Sequence, residues 1–259
     1  MSEDILRDWT KKFYTKQYQL LDSVAAWGRF FPADPPGNRQ RRAEAVERLA
    51  GPGVKRVLEL GCGGGLTAGA IALLGHHVVA VDIVETAAAS ARRIAAQLPN
   101  GAMRVVQGDF YQIELDDTFD VVCYFDGFGI GSDADQRRLL RRIAGWLNPQ
   151  GCALIDVYNP WYFGRDNGEA YQEGQVMYRS DFDAAGCRLE ETLWPVGDES
   201  QAVTQSLRCY SPADLRLLLE GSGLALHSYE PYDSGFQFDK QVPLKEAAIY
   251  LAHLLPEVC

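Results

Sequence analysis

Short runs of branched apolar residues alternate with helix-like stretches through the middle of the chain. The apolar runs predict five strands, with the sequences KRVLEL, HVVAVD, MRVVQG, FDVVCYF and CALIDVY. Strands that are apolar throughout are typical of a parallel sheet covered on both faces. Helical patterns such as LTAGAIALLG and DADQRRLLRRIAGWL lie between them. The alternation predicts an α/β fold built on a doubly wound, mostly parallel sheet.

The rhythm changes after Tyr158. Three strand-like segments, QVMYRSDFD, CRLEETLW and SQAVTQSLRCY, predict an antiparallel β meander inserted over residues 161–210. The stretch SPADLRLLLEGSG then predicts a helix, with Ser211 as its N-cap and Pro212 at its first position. Two final strands, LALHSYEP and AAIYLAHL, are expected to complete the sheet, so that residues 211–259 return to the main fold.

The first 50 residues predict a helical cap. Residues 4–30 look helical and rich in aromatic side chains, FPADPPGN interrupts that pattern, and RQRRAEAVERLA predicts a further helix that GPG ends. We therefore expect one domain over residues 1–259. Its core spans residues 51–160, preceded by the cap at residues 1–50.

Composition narrows the choice of partners. The formal net charge is −10, and dense basic clusters occur only in RQRR and RRLLRR, so a nucleic-acid partner is not expected. No apolar run approaches the length of a membrane helix, and the N-terminal residues lack a secretory apolar segment. These features predict a cytoplasmic protein without a membrane partner. The six cysteines form no CxxC pair, so no metal site is expected.

The stretch VLELGCGGG places Gly61, Gly63 and Gly65 directly after the first predicted strand. Glycines at a strand-to-helix turn allow a ligand to approach the main chain closely, and the N–H groups of the helix point toward it. In a doubly wound sheet this turn borders the usual ligand crevice. The spacing differs from the dinucleotide fingerprint at Leu66, and no Gly-Lys-Ser/Thr follows as in a P-loop.

Acidic residues lie at or near the ends of the first three strands. Asp82 lies 21 residues past Gly61, where it can accept hydrogen bonds from ribose hydroxyls, a role that nicotinamide cofactors also use. Asp109 is placed to accept from the amine of an adenine, and Glu59 suits a cationic amino group. Each acid taken alone could instead cap a loop, but three together favour a ligand with an adenosyl group.

With these motifs the chain resembles the class I S-adenosylmethionine-dependent methyltransferases. The resemblance rests on VLELGCGGG, on VVAVD, on GDF, on FDVVCYF and on LNPQG, and it covers roughly residues 50–160 well. It implies a Rossmann-like methyltransferase fold whose seven-stranded sheet ends in an antiparallel hairpin. Gln150 departs from the usual second glycine, in a turn remote from the cofactor.

The resemblance also implies a set of S-adenosylmethionine-binding residues. The glycines would line its methionine and ribose part, Asp82 would hold the ribose, and Asp109 with the backbone of Phe110 would hold the adenine. Two tyrosines of the N-terminal cap would close over the cofactor, although helix packing explains them equally well. The full set is Tyr14, Tyr18, Glu59, Gly61, Gly63, Gly65, Asp82, Ile83, Asp109, Phe110, Tyr124 and Phe125.

Residues for the methyl acceptor are sought in the loops after the fourth and fifth strands. Asp126 and Tyr158 are the candidate catalytic residues, although Asp126 could instead form a turn. None of the four histidines is favoured as a base. The sequence NPWY differs from the nucleobase-binding N-P-P-Y/F motif and is interpreted as pocket wall or as the root of the inserted meander. The candidate pocket residues are Asn159, Trp161, Tyr162, Arg165 and Arg208.

These observations favour one function and leave two alternatives. The leading hypothesis is methyl transfer from S-adenosylmethionine to an O or N, or C, nucleophile of a small molecule, by a monomer or homodimer. The first alternative is a protein that binds the same cofactor for regulation or for a non-methylating reaction. The second is a nicotinamide-dependent oxidoreductase. Asp82 supports this alternative, whereas Glu59 and Leu66 argue against it.

Overall fold

The computed structural model describes residues 10–19, 36–165, 168–232 and 242–257. Its main feature is a seven-stranded sheet in the order β10-β11-β5-β4-β1-β2-β3. Strands β1 to β5 are parallel, and β11 pairs antiparallel with both β5 and β10. The strands are β1 Arg56–Leu60, β2 His77–Asp82, β3 Met103–Gln107, β4 Phe119–Tyr124, β5 Leu147–Tyr158, β10 Leu224–Tyr232 and β11 Ile249–Pro256.

Helices cover both faces of this sheet. They are α1 (residues 10–19), α2 Pro36–Ala50, α3 Leu66–Leu73, α4 Glu85–Ala95, α5 Asp133–Trp146, α6 Pro160–Phe163 and α7 Pro212–Leu219. The prediction of a doubly wound, mostly parallel sheet with an inserted antiparallel meander is confirmed. None of the helices within the described ranges is both long and apolar enough to cross a membrane.

The inserted region forms a second, antiparallel sheet in the order β6-β7-β8-β9. Its strands are β6 Ala170–Glu173, β7 Val176–Asp183, β8 Arg188–Pro195 and β9 Val203–Arg208. Three of the four correspond to the predicted segments. The short strand β6 and the four-residue helix α6 were not predicted, because neither is long enough to give a hydrophobic period.

Local signals explain where two of the helices begin. Ser132 and Ser211 each accept a hydrogen bond from the main-chain N–H three residues later, and an aspartate returns the bond to the serine N–H. Such capping boxes satisfy N–H groups that a helix start otherwise leaves unpaired. The predicted cap at Ser211, with Pro212 at the first position, is therefore confirmed.

Two boundaries differ from the prediction. Helix α2 begins at Pro36, three residues before RQRR, since a proline is well tolerated in the first turn. Strand β5 begins at Leu147 rather than after the NPQG turn, because Leu147 already pairs with Phe119. The register then shifts before Val121 pairs with Cys152, so the turn is accommodated as an irregularity within the strand.

The sheet separates two apolar cores, and a third links it to the meander. Side chains of β1 point alternately to the two faces of the sheet. Leu58 and Leu60 lie on the face covered by α5 and α7, whereas Val57 lies on the face covered by α2 and α3. The third cluster includes Tyr158 from β5 and Leu189 from the meander, with Tyr14 and Tyr232 packed against it. The meander and α1 are thereby held near the carboxyl end of β5, where the ligand crevice of an α/β sheet lies.

Candidate functional site

The glycine-rich turn between β1 and α3 is tied to the end of β2. Gly61 and Gly63 have φ values of 61° and 53°, which place both in the left-handed region that favours glycine. The N–H of Gly63 donates to Oδ2 of Asp82 over 2.8 Å, and the N–H of Cys62 donates to the carbonyl of Val81 over 3.0 Å. The turn therefore has a fixed shape at the crevice.

Aromatic side chains lie directly against this turn. A Cβ atom built on Gly63 would lie 2.7 Å from the hydroxyl oxygen of Tyr18, and one on Gly61 would lie 3.3 Å from the ring of Tyr124. Tyr18 belongs to α1, so the N-terminal helix covers the turn. The structure thus brings Tyr18 and Tyr124 together with the glycines, and side chains at positions 61 and 63 would crowd the space between them.

Gly65 has a different reason to be glycine. It precedes α3 with a φ of 81°, and a Cβ atom there would lie 2.7 Å from Cβ and 2.8 Å from Cα of Ala91 in α4. Position 65 is thus limited by the packing of α3 against α4. The prediction that all three glycines line a ligand remains untested, but packing alone accounts for the absence of a side chain at Gly65.

Asp82 is buried at the carboxyl end of β2 and uses both carboxylate oxygens. Oδ1 accepts from the N–H of Val84 and Oδ2 from the N–H of Gly63, both over 2.8 Å. Burial raises the pKa of this carboxyl, and the main-chain donors oppose that rise. Since each carboxylate oxygen has a second lone pair, Asp82 can hold the turn and still accept hydrogen bonds from two ligand hydroxyls.

Glu59 offers an unsatisfied acceptor beneath the same turn. The side chain is 3% exposed, and Oε2 accepts no hydrogen bond from any residue within the described ranges. The N–H of Ala68 in the first turn of α3 donates to this carboxyl group. Burial raises the pKa of Glu59 to about 8. The positive charge of Arg42 opposes this rise, and the negative charge of Asp82 adds to it. A cationic donor on a bound molecule would fit this carboxyl.

We expect Glu59 to make stability depend on pH near neutrality. Its pKa rises on folding from 4.5 to about 8, so its neutral form stabilises the fold below pH 4.5 and that contribution is lost as pH rises through 8. Glu59→Gln should flatten the fall in unfolding free energy between about pH 4.5 and 8 (about 1.4 kcal/mol per pH unit at most for one proton).

Urea unfolding at a series of pH values measures this effect. Asp82 and Asp156 also have raised pKa values, but both are present in wild type and variant, so the difference between the two curves reports Glu59. The exposed Glu85 provides the matched control, since Glu85→Gln should leave the slope unchanged. An equal slope in wild type and Glu59→Gln would contradict the assignment.

The predicted adenine-binding residues follow β3. Oδ1 of Asp109 accepts from the N–H of Tyr111 over 2.8 Å, which shapes the turn. The N–H of Gly108 donates to the carbonyl of Asp82, so this turn lies beside the end of β2. The ring of Phe110 lies 5.3 Å from that of Tyr124. The half-buried Ile83 follows Asp82 directly, and these predicted residues therefore form one continuous rim.

Tyr124 and Phe125 do not face the same side of the sheet. Tyr124 packs with the core below α5, and its hydroxyl donates to the carbonyl of Gly127 over 2.8 Å. Phe125 packs on the opposite face, where the guanidinium of Arg42 lies 5.1 Å from its ring centre. Adjacent strand residues alternate in this way, so only Tyr124 lies against the glycine turn.

The two predicted catalytic residues come together at the end of β4 and β5. Asp126 has a φ of 56°, a conformation that is uncommon for a residue other than glycine. Its carboxylate is exposed, and Oδ1 accepts a hydrogen bond from the buried hydroxyl of Tyr158. Burial and then the charge of Asp126 raise the pKa of Tyr158, so this phenol stays protonated.

The meander contributes polar residues to this place that sequence reasoning missed. The hydroxyl of Tyr14 donates to Oε1 of Gln205 over 3.3 Å, and Nε2 of Gln205 donates to Oε2 of Glu191 over 2.6 Å. Burial is the largest cause that raises the pKa of Tyr14. The negative charges of Asp126, Asp82 and Glu191 raise it further, in that order. We define the acceptor pocket as Tyr14, Asp126, Tyr158, Glu191 and Gln205.

The alternation of apolar and polar residues predicts the strands of the meander but does not by itself predict this pocket. Alternation within CRLEETLW and SQAVTQSLRCY predicts strands, but not which face of the meander turns to the core sheet. One available signal is a pair of neighbouring strands that each carry a polar residue among inward-facing apolar ones. Glu191 and Gln205 are such a pair, directly opposite each other in the register of β8 and β9.

A buried ion pair lies beneath the crevice on the α2 face. Nη2 of Arg42 lies 2.7 Å from Oδ2 of Asp156, whose side chain is fully buried. Oδ1 of Asp156 accepts no hydrogen bond from the part of the chain that the structure describes. Burial raises the pKa of Asp156 and Arg42 opposes the rise.

Two of the predicted pocket residues have internal structural partners. The amide of Asn159 donates to the carbonyls of Leu244 and Ala247 over 2.6 and 2.7 Å, and its oxygen accepts from the N–H of Trp161. It therefore caps α6 and anchors the chain before β11. The guanidinium of Arg208 lies 3.5 Å from Asp133 and also donates to main-chain carbonyls.

The other three predicted pocket residues lie around α6. Trp161 is 58% exposed, and Tyr162 packs edge-on against Phe163. The guanidinium of Arg165 lies 5.4 Å from the ring centre of Tyr162 and donates to the carbonyl of Lys245 over 3.3 Å. Tyr162 is linked to the acceptor pocket through Phe163, whose ring lies 5.7 Å from that of Tyr158 in the same apolar cluster.

Comparison with known proteins shows what the core of the chain is similar to. Residues 57–151 match the family described as "Methyltransferase domain". The match begins within β1 and ends within β5, so it includes the glycine turn, Asp82 and Asp109.

A curated relative matches part of the chain. The chain is 36% identical over 118 residues to a cypemycin N-terminal methyltransferase of a Streptomyces species, covering 45% of this chain and 47% of that protein. The match therefore spans about half the length of this relative.

Solved structures share the fold over most of the chain. The CcbJ methyltransferase of Streptomyces caelestis has a TM-score of 0.71 at 24% identity, over 87% of this chain and 92% of that one. The glycopeptide N-methyltransferase MtfA complexed with S-adenosylmethionine has a TM-score of 0.61 at 21% identity, over 86% and 96%. At these identities the similarity concerns the fold.

Proposed function

We propose that the chain transfers a methyl group from S-adenosylmethionine to an O or N, or C, nucleophile of a small molecule by in-line displacement. The observation that carries the proposal is the fixed glycine turn of a methyltransferase domain, with Asp82 at one side and the unsatisfied Oε2 of Glu59 beneath it. A ligand with paired hydroxyls and a cationic amino group matches these two carboxyls.

The chain's own residues divide the work of binding. The main chain at Gly61 and Gly63 would line the methionine part, Asp82 would accept from the ribose hydroxyls, and Glu59 would face the amino group. Asp109 and Phe110, with Ile83, would hold the adenine at the rim. Tyr18 covers the turn from α1 and would exclude water from the bound cofactor.

When bound, the sulfonium cofactor supplies the methyl group and the leaving group of the displacement. The protein has to align the acceptor and keep the pocket dry, and such alignment can contribute about 7–11 kcal/mol toward lowering the barrier. Asp126 is the exposed carboxylate at the acceptor side, and Tyr158 fixes it by donating to Oδ1. Its second oxygen would orient the acceptor or take its proton.

Two measurements test the proposed activity. Isothermal titration should show S-adenosylmethionine binding, and S-adenosylhomocysteine should form when small nucleophiles are added. Absence of binding at high micromolar cofactor would contradict the proposal. Binding without product across a broad panel of nucleophiles would favour the alternative, a protein that uses the cofactor for regulation or another reaction.

Asp82→Ala should weaken S-adenosylmethionine binding by about 1–3 kcal/mol, because the ribose hydroxyls and the N–H of Gly63 lose their acceptor. Titration calorimetry measures the change. Asp82→Asn provides a graded comparison, since its amide oxygen can still accept from one of the two main-chain donors. Unchanged affinity in Asp82→Ala would show that the sugar lies elsewhere.

Several finer properties are part of the proposal. An acidic chain with dense basic clusters only in RQRR and RRLLRR suits a small-molecule substrate better than a nucleic acid. A monomeric or homodimeric state and a cytoplasmic location are our expectations. Size-exclusion chromatography with light scattering tests the first, and localisation of a tagged full-length protein tests the second.

A further inference from the structure

We propose that the acceptor pocket recognises a cationic amine, with Asp126 and Glu191 as the specificity-determining carboxylates. This inference rests on the proposed function and names its substrate class. The two acids come from different sheets, one from the end of β4 and one from the meander. Tyr158, which donates to Asp126, and Tyr14, which reaches Glu191 through Gln205, pack in one apolar cluster, and this gives the inserted meander a role in substrate choice.

The geometry of Glu191 is that of a prepared ligand group. The side chain is half-buried, and Gln205 holds Oε2 over 2.6 Å while Tyr14 holds Gln205 in turn. Within the described ranges no residue donates to Oε1, which leaves it for a ligand. A carboxylate whose orientation is fixed by neighbouring side chains binds a donor without losing further rotamer freedom.

The surroundings favour positive charge. Apart from burial, the groups that shift the pKa of Tyr14 are all acids. For Glu191 they are the amide of Gln205 and the acid Asp126. Among the described residues, Arg42 is a cation whose charge is coupled to that of Asp126, and Asp156 already pairs with it at 2.7 Å. An acidic wall repels carboxylate or phosphate groups and attracts an ammonium.

A buried acid lies beside the pocket on the same strand. Asp156 lies two residues before Tyr158 on the same face of β5, is completely buried, and its charge is coupled to that of Asp126. Arg42 pairs with it, and the hydroxyl of Tyr232 also acts on it, so Asp156 has neighbours of its own. The acids left to face a ligand are the two named above. An ammonium, with a positive charge and several N–H groups, can donate to both of them.

The test compares three probes of one shape and different charge. Benzylamine, benzyl alcohol and benzoate are offered to the full chain saturated with S-adenosylhomocysteine, and binding is followed by saturation-transfer NMR. We expect benzylamine to bind preferentially. Glu191→Gln should weaken its binding about tenfold, since a charge-assisted hydrogen bond is lost while the bond to Gln205 is kept.

Glu190→Gln is the matched control. Glu190 is the preceding residue of β8, is exposed, and points to the opposite face, so this variant makes the same change in net charge outside the pocket. It should bind benzylamine like wild type. Equal effects of the two variants, equal or stronger binding of the alcohol or acid, or no benzylamine binding at millimolar concentration would each overturn the inference.

The two proposals fail separately. Both variants should bind S-adenosylmethionine as wild type does in titration calorimetry, because neither residue touches the glycine turn. If wild type does not bind this cofactor, the proposed function fails whatever the probes do. If it binds the cofactor but discriminates against benzylamine, the methyltransferase proposal stands and the amine class is wrong.

Discussion

Arg42→Ala should lower the free energy of unfolding by about 3–5 kcal/mol, because it leaves a fully buried carboxylate of Asp156 without its partner. Arg42 also packs over Phe125 and is the cation that acts on buried Glu59. Its loss should therefore raise the pKa of both carboxyls further. Urea unfolding at neutral pH measures the change in free energy.

The same helix offers a matched control. Arg48 of α2 pairs with Glu230 through two hydrogen bonds, but both side chains are roughly half exposed. Exposed pairs contribute about 0–1 kcal/mol, so Arg48→Ala should have a small effect. In a protein that already carries Asp156→Asn, Arg42→Ala should lower the free energy of unfolding by clearly less than it does in wild type. A similar loss for the two arginine variants would refute the role of burial.

Gly65→Ala should destabilise the domain by about 2–5 kcal/mol, because it combines a left-handed conformation with overpacking. The new Cβ would lie 2.8 Å from the main-chain Cα of Ala91, and a main-chain atom cannot move aside without shifting α4. Thermal unfolding gives the loss in stability. Cofactor affinity should fall as well, since α3 and the turn before it would shift.

Gly75→Ala separates the two contributions. Gly75 has a φ of 94°, comparable to that of Gly65, but a Cβ atom there meets nothing within 4 Å. This variant should show only the conformational strain, about 1–2 kcal/mol. If Gly65→Ala costs no more than Gly75→Ala, then packing between α3 and α4 does not explain the glycine.

The main sheet was predictable because each of its strands carries its own signal. The apolar runs that end at Asp82 and at Tyr124 are bounded by turn residues, and the glycines between β1 and α3 mark the crevice. These are local properties, and they determined the fold class and the position of the cofactor crevice. The capped helix that begins after Ser211 was predictable for the same reason.

The acceptor side was less predictable because it depends on contacts between distant segments. Tyr14 and Gln205 are 191 residues apart, and nothing local in either segment indicates their hydrogen bond. The same reason explains Asn159, whose pocket-like motif instead anchors the main chain near Leu244. Sequence reasoning thus proposed Asp126 and Tyr158, which the structure joins by a hydrogen bond, but not the meander residues beside them.

The position of β11 has a consequence for how the chain folds during synthesis. Residues 249–256 lie between β10 and β5, so the apolar edge of β5 has no partner until this late segment has left the ribosome. An uncovered apolar edge is prone to pair with other chains. Slow emergence of these residues should therefore favour aggregation of nascent chains, and a chaperone that shields β5 would raise the yield.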